Sequence, residues 1–451
     1  MQRLLLVTLA VLIGCNSTGA VRGGFVPAGS RADGERAAER GASPIKHLVI
    51  IVQENRSFDN LFSGFPGADA PAFGFDSRNR KVTLSPVTFE SQVNLTHDYE
   101  PARTAWNRGK MNGFEAVALQ SNLSPTYNYA YLDRKEAAPY WTMARTYTLA
   151  DRMFPTEFGP SFTGHLALIA GTTSLTPALA EVDNPPATTA EWGCGDSPGT
   201  TTFVLNPQYK ISPGPFPCFS QFKTLADSLD AAHVSWRYYA PPDKTGNHGG
   251  ILWSSFSAIK NVYYGPDWAN VVSPPTTVLT DAFYGKLPAV SWVIPDWKWS
   301  DHPSSGSDRG PSWVAAVVNA IGEGPDWSST AIVIVWDDWG GWYDDAPPPQ
   351  KDFRGLGIRV GCIIVSPYAR PQYVSHTPYE FGSILHFAED TFGLPPIGAA
   401  IRGYTDRRAP SLADSFDFKQ QPLAFKPIAA KYPAAYFFNY PPSMRAPDTD
   451  L

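Results

Sequence analysis

Four short apolar runs, each broken off by polar or turn residues, limit the folds open to this chain. They are His47-Leu48-Val49-Ile50-Ile51-Val52, Ala289-Val290-Ser291-Trp292-Val293-Ile294, Thr330-Ala331-Ile332-Val333-Ile334-Val335-Trp336 and Cys362-Ile363-Ile364-Val365. None alternates apolar with polar residues, so both faces of each run need cover, which is the mark of strands buried in a parallel sheet. Helical patterns lie between or beside them, over Ser312 to Ile321 and Glu380 to Thr391. Strands alternating with helices predict a three-layer α/β/α sandwich on a mostly parallel central sheet. Segments from about 66 to 125 and from 174 to 264 lack this rhythm and are expected to be long loop insertions, often lids or substrate walls. No internal repeat or heptad pattern competes with this reading.

Charge narrows the partners. The chain has 36 Lys and Arg against 42 Asp and Glu, which leaves no electrostatic case for nucleic acid or an anionic membrane face. Its start, Met1-Gln2-Arg3 followed by a mostly apolar Leu4 to Ile13, reads as a signal peptide over residues 1–15. The ending Leu12-Ile13-Gly14-Cys15 resembles a bacterial lipobox, with cleavage near Gly19-Ala20 as the plainer alternative. Both readings predict export, to the periplasm, to the outer surface as a lipoprotein, or into the medium, and the lipobox adds a lipid anchor. Residues 16–43 read as a flexible tether, 44–418 as the catalytic domain, and 419–451 as an irregular tail packed on it. Cys194 and Cys218 lie in a Pro-, Gly- and Thr-rich stretch and are a disulfide candidate in an oxidising compartment. Cys362, inside an apolar run, is expected to be a buried free thiol.

Ligands in open α/β sheets bind beyond the carboxyl ends of the strands. The first run leads into Gln53-Glu54-Asn55-Arg56-Ser57-Phe58-Asp59, and the third into Asp337-Asp338-Trp339-Gly340-Gly341-Trp342. Adjacent aspartates at the end of a buried strand repel unless a cation or protons lie between them. Glu54, Asn55, Asp337 and Asp338 therefore make a hard-cation site if the two strand ends are neighbours. The plainer alternative is that the aspartates cap a turn and that Asn55 or Ser57 starts a helix. In Gly159-Pro160-Ser161-Phe162-Thr163-Gly164-His165, Ser161 is a candidate nucleophile at a helix start, where free N–H groups would suit a phosphate. A simple helix cap at Ser161 or Thr163 is the alternative. His302, in Ser300-Asp301-His302-Pro303, and His97 are candidates to protonate a leaving oxygen. His233, His376 and His386 read as ordinary hydrogen-bonded side chains, and His248 stays undecided.

These residues resemble a known family. Glu54 to Asp59, the stretch from Trp106 to Phe114 that includes Lys110, Ser300 to Pro303, and Trp336 to Asp344 look like the bacterial phosphoesterase family. That family includes phospholipases C and related acid phosphatases, within the alkaline-phosphatase-like superfamily, and the resemblance runs from about Ile45 to Phe418. It implies one divalent metal (Ca, Mg, Mn, Zn or Fe) held by Glu54, Asn55, Ser161, Asp337 and Asp338. It implies attack by Ser161, a phosphoseryl intermediate, and His97 and His302 at the phosphoryl oxygens or leaving group. His165, Lys110, Asp301 and Trp339 are the candidate substrate-side groups, Trp339 together with Trp342 and Tyr343 as an aromatic cage for a choline headgroup.

The chain departs from the family pattern at Thr163-Gly164-His165, where many members carry Pro-Asn-Arg or Pro-Asn-His, which makes Thr163 a rival nucleophile. It also has Asp345 where many members have His. The expected substrate is a small phosphate ester or a phospholipid headgroup. Without twin arginines, or room for further C-terminal β-domains, a compact phosphatase-like or general phosphodiesterase enzyme is favoured. A sulfatase-like hydrolase of the same superfamily is disfavoured because no Cys-x-Pro-x-Arg segment is present. A non-catalytic binding protein on this scaffold is disfavoured because every expected ligand and the nucleophile remain.

Overall fold

The structure is a computed structural model, and it describes residues 43–90, 93–186, 192–242 and 253–444. The signal peptide with Cys15, nearly all of the tether, His248 and residues 445–451 lie outside the described residues. The central sheet has eight strands: β1 (His47–Gln53), β2 (Thr148–Ala150), β3 (Trp236–Tyr239), β4 (Val271–Val272), β5 (Val290–Val293), β6 (Thr330–Trp336), β7 (Cys362–Val365) and β8 (Tyr373–Ser375). Their order across the sheet is β4-β3-β5-β1-β6-β7-β2-β8. Every neighbouring pair is parallel except the two that β7 makes, with β6 and with β2. All seven residues of β6 are buried. Since successive side chains point to opposite faces, both faces of the sheet are covered.

The cover comes from two groups of helices. On one side α2 (Ala138–Thr146), α5 (Thr277–Phe283) and α8 (Ala434–Asn439) pack against α6 (Gly310–Gly322). On the other, α4 (Leu225–Ala231) and α7 (Phe381–Phe392) pack against α3 (Ser161–Ala170). The α/β sandwich expected from the apolar runs is therefore the fold. No helix among the described residues is long and apolar enough to cross a membrane.

Four stretches differ from expectation. Two of them are 66–125, expected to be loop, which holds the helices Tyr99–Trp106 and Phe114–Gln120, and the tail 419–451, expected to be irregular, which holds α8. The run Cys362 to Val365 was expected to lie parallel, yet β7 is antiparallel to β6. Residues 337–361 stay at the carboxyl edge of the sheet, where the Asp337–Trp342 loop and Arg359 are engaged, so the chain re-enters the sheet from that edge. The segment 174 to 264 was expected to be loop, yet it contains α4 and β3. Trp236-Arg237-Tyr238-Tyr239 carries a charge and large aromatics, which hid a strand whose pattern is buried at three of four positions. The same segment holds a small antiparallel sheet of Ser174–Thr176, Leu179–Glu181, Phe203–Leu205 and Ile211–Pro213.

Cys194 and Cys218 are bonded across a sequence separation of 24, and Cys362 is free and buried. Closing a loop of that length stabilises the fold by about 3.5 kcal/mol in the chain-entropy picture. Reduction is expected to lower the calorimetric unfolding temperature, and an unchanged transition under full reduction would exclude that contribution.

Candidate active site

The site is laid out by strand register. β1 and β6 pair in parallel with Val52 beside Val335 and Gln53 beside Trp336, so Glu54-Asn55 and Asp337-Asp338 leave the sheet side by side. Asn55 takes a left-handed backbone conformation, φ 54°. Its backbone N–H donates to Asp337 Oδ1 at 3.0 Å, and its Nδ2 lies 2.9 Å from Asp338 Oδ2, 3.2 Å from Ser161 Oγ and 3.0 Å from His97 Nε2. Gly340, φ 60°, permits that close fit, because a Cβ there would stand 2.1 Å from the Asn55 carbonyl oxygen. Ser57 does cap a helix: its Oγ accepts the Asn60 N–H at 3.2 Å at the start of α1 (Phe58–Phe62).

The third wall is α3, buried along its whole length. Ser161 Oγ lies 3.3 Å from Glu54 Oε2 and 3.2 Å from Asp338 Oδ2. One turn on, His165 Nε2 is 2.7 Å from Glu54 Oε1 and 3.8 Å from Asp337 Oδ2. Gly164 lets the helix lie on the strand end, since a Cβ would meet the Asp337 carbonyl oxygen at 2.5 Å. Gly164→Ala is expected to push α3 off β6 at a cost of about 1–3 kcal/mol. Cation affinity should fall with it, as titration calorimetry would read, and a variant with unchanged stability and binding would contradict this packing.

The helix start is not the open anion site expected from the sequence. The Phe162 N–H donates to Asn184 Oδ1 at 2.9 Å, and the Thr163 and Gly164 N–H groups donate to the Pro160 carbonyl. Thr163 Oγ1 also donates to Pro160 O, at 3.0 Å, so Thr163 closes the first turn while Ser161 faces the carboxylates. Near this turn Glu157 is buried and accepts the Thr173 hydroxyl at 2.6 Å. Burial pushes its pKa up to about 8, against the pull of Thr173 and Arg354. A raised carboxyl pKa contributes stability that is full below the ordinary 4.5 and is lost as pH rises through 8. The thermal midpoint is expected to fall between pH 5 and 8, and Glu157→Gln to flatten that fall. An equally steep slope in the variant would exclude Glu157 as its source.

The cluster fits a divalent cation. Glu54, His165 and Asp337 offer ligand atoms that all lie within 4.8 Å of one another. Asp337 Oδ2 and Asn55 Oδ1 are buried with no hydrogen-bond partner, and an orphaned oxygen in a dry site is costly without a positive charge. Burial lowers the His165 pKa to about 4, leaving the neutral imidazole that ligates metals. The sequence reading put His165 on the substrate side, yet it faces the carboxylates. Its i+4 spacing from Ser161 on one helix face was the available signal.

Two more histidines border the cluster. His97 Nδ1 is 2.7 Å from the Leu95 carbonyl, which assigns its proton to that nitrogen and a lone pair to Nε2. His302 Nδ1 is 3.3 Å from the Ser304 backbone N–H and 3.1 Å from its hydroxyl, which assigns the His302 proton to Nε2. The two rings lie 6.4 Å apart, and His302 packs on Trp297 and Trp253 at 4.7 and 5.9 Å. All eight residues, Glu54, Asn55, His97, Ser161, His165, His302, Asp337 and Asp338, are at most 1% exposed.

Three expected substrate-side residues stand elsewhere. The Asp301 carboxylate accepts Tyr140 OH at 2.8 Å and Trp336 Nε1 at 3.0 Å, and burial pushes its pKa up to about 7 despite Arg56. Lys110 is exposed and lines a surface cavity of about 560 Å³ with Asp69, Met111 and Asp345, to which none of the eight residues contributes. Trp339 donates its indole N–H to the His97 carbonyl and packs on Phe114, while Tyr343 stacks on Tyr129 and Trp342 lies under Arg56. These rings are core, so the expected aromatic cage is absent among them. A second carboxylate group, Asp59, Asp344 and Asp345, has Arg359 bonded to all three at 2.9–3.2 Å, which supplies the cation there.

A mostly parallel sheet with carboxylates, a serine and histidines gathered at its carboxyl edge defines an α/β protein whose site is compatible with a divalent metal. The model of the Phosphoesterase family matches residues 45–395, and the chain belongs to that family. It is 25% identical over 406 residues to the non-hemolytic phospholipase C of Pseudomonas aeruginosa, covering 78% of this chain and 54% of that protein. It is 24% identical over 448 residues to phospholipase C A of Mycobacterium tuberculosis, covering 85% and 79%. The chain thus spans about half the length of the Pseudomonas relatives it matches. A solved structure from the alkaline phosphatase superfamily of Vibrio parahaemolyticus aligns at 9% identity and a TM-score of 0.38, covering 83% of this chain and 72% of that one.

Proposed function

We propose that this protein is an exported, metal-dependent hydrolase of phosphoric esters of the phospholipase C type, with Ser161 as its nucleophile. The observation that carries the reading is the convergence of Ser161 Oγ with Glu54, Asn55 and Asp338, all within 3.3 Å. Glu54, Asn55, Asp337 and Asp338 would hold the cation with Ser161 and His165, and the bound cation supplies Lewis-acid charge neutralisation. Ser161 gives its proton to Asp338 or Glu54 as its oxygen bonds to phosphorus. The ester oxygen leaves under a hydrogen bond from the His302 Nε2–H and takes the proton that Ser161 gave up. Water then cleaves the Ser161–phosphorus bond, its oxygen joining phosphorus and one of its protons returning to Ser161, so that one ester and one water yield an alcohol and a phosphate. His97 holds the Asn55 amide, and thereby the Ser161 side of the site, in place. The Cys194–Cys218 bond supports an oxidising, extracytoplasmic setting.

The test is hydrolysis of a chromogenic phosphate monoester, its bis-substituted diester and phosphatidylcholine vesicles, before and after chelation. Chelator-sensitive diester and phospholipid cleavage is the expected result. Preference for the monoester would move the assignment to an acid-phosphatase-like enzyme. Folded, metal-loaded protein that cleaves none of the three would overturn the reading.

A further inference from the structure

The peptide that carries His302 is tied to the strand that leads into Glu54 and Asn55. Gln53 is the last residue of β1, and its buried amide bridges two backbone groups more than 240 positions away. Nε2 donates to the Trp299 carbonyl at 3.2 Å, and Oε1 accepts the Asp301 N–H at 3.0 Å. Arg56 adds a third tie, Nε to the Asp301 carbonyl at 2.9 Å, while its guanidinium is held between Phe89 and Trp342. The Asp301 side chain is fixed in turn by Tyr140 from α2 and by Trp336, the residue before Asp337. Asp301 is thus clamped at its N–H, its carbonyl and its carboxylate, and His302 is the next residue. A primary amide presents a donor and an acceptor side by side and so matches a carbonyl and an N–H together, as a neighbouring strand would.

We infer that Gln53 is a positioning residue, which acts through the Trp299–Asp301 peptide to fix the His302 ring against the Glu54-Asn55 and Asp337-Asp338 strand ends. Gln53 touches neither the reacting atoms nor the cation. Loss of its two bonds leaves the Trp299 carbonyl and Asp301 N–H buried and unpaired, so the loop shifts to repair them and His302 moves with it. The effect belongs on the proton-transfer step and not on cation binding. The activity readout rests on the proposed ester hydrolysis.

The test is a double-mutant cycle of Gln53→Met and His302→Ala, run on full-length, metal-loaded protein. Gln53→Met keeps the length of the side chain and removes both bonds. It is expected to lower kcat by about 10- to 100-fold, on the scale of lost supporting contacts, with KM and cation affinity near wild type. In the His302→Ala background the same change is expected to cost less than about 2-fold, because coupled residues do not add. Gln53→Glu, which keeps the acceptor and loses the donor, serves as the second variant should Gln53→Met fold poorly, and it should show the same non-additivity. Additive losses, or a fall in cation affinity matching the fall in kcat, would overturn the inference. The imidazole nitrogen spectrum of His302 provides a readout independent of turnover. It is expected to show a single Nε2–H form in wild type and an averaged pattern in Gln53→Met. Should the wild type cleave no phosphoric ester, the proposed function fails while this spectrum still decides the positioning role, an unchanged His302 pattern counting against it.

Discussion

Ser161→Ala is expected to abolish turnover, by a factor on the order of 10⁴ or more, while leaving the fold and its unfolding temperature near wild type. Among the described residues, the hydroxyl hydrogen-bonds with the groups that would do the chemistry: Glu54 Oε2, Asp338 Oδ2 and the Asn55 amide. Nothing else in the helix start depends on it. Asn184 holds the Phe162 amide, and the Pro160 carbonyl takes the amides of Thr163 and Gly164 and the Thr163 hydroxyl. The same bonds predict the opposite pattern for Thr163→Ala, which should cost about 1 kcal/mol of stability through the lost turn and keep most of the activity. Kinetics of both variants, with mass spectrometry for phosphate on the helix peptide after a rapid acid quench, separate the two hydroxyls. Label on Thr163, or an active Ser161→Ala enzyme, would end the case for Ser161.

The fold was legible wherever burial on both faces left an unbroken aliphatic run. β1 and β6 are such runs, and their parallel register set Glu54-Asn55 beside Asp337-Asp338, which was the condition attached to the cation site. Strand direction was not legible, because Cys362 to Val365 would look the same in either orientation; the return path of residues 337–361 decides it. β3 was missed because two tyrosines, a tryptophan and an arginine do not resemble an aliphatic strand. In the site, side chains were legible as chemistry and less so as direction. Asp301, Trp339, Trp342 and Tyr343 sit in the right segments, but their own hydrogen bonds and ring contacts turn them into the support of the site. His165 was assigned by likeness to a substrate group, when its place one turn after Ser161 already put it on the same face of α3.

Asp337→Asn is expected to produce two effects of opposite sign, and together they test whether the cluster was built around a cation. Asp337 Oδ1 accepts the Asn55 N–H at 3.0 Å, a bond that an asparagine oxygen can keep. Asp337 Oδ2 is buried without a hydrogen-bond partner, 3.8 Å from His165 Nε2, and Asp337 and Glu54 offer ligand atoms within 4.8 Å of one another. A buried carboxylate oxygen facing other carboxylates is unfavourable when no positive charge is bound, so removing its charge should raise the unfolding temperature of the metal-free protein. The same change removes a ligand, and cation affinity should drop by at least about 100-fold, since loss of an outer supporting contact alone costs ~10–100-fold. Added metal should therefore raise the unfolding temperature of the wild type, because a ligand that binds only the folded state stabilises it, and should leave Asp337→Asn nearly unmoved. Scanning calorimetry with and without metal, beside metal content by elemental analysis, reads both signs in one experiment. A variant that is less stable than wild type without metal would mean that Asp337 serves the fold first, through Asn55. One that still gains full stability from the cation would place the binding atoms elsewhere in the cluster, on Glu54, His165 and Asp338.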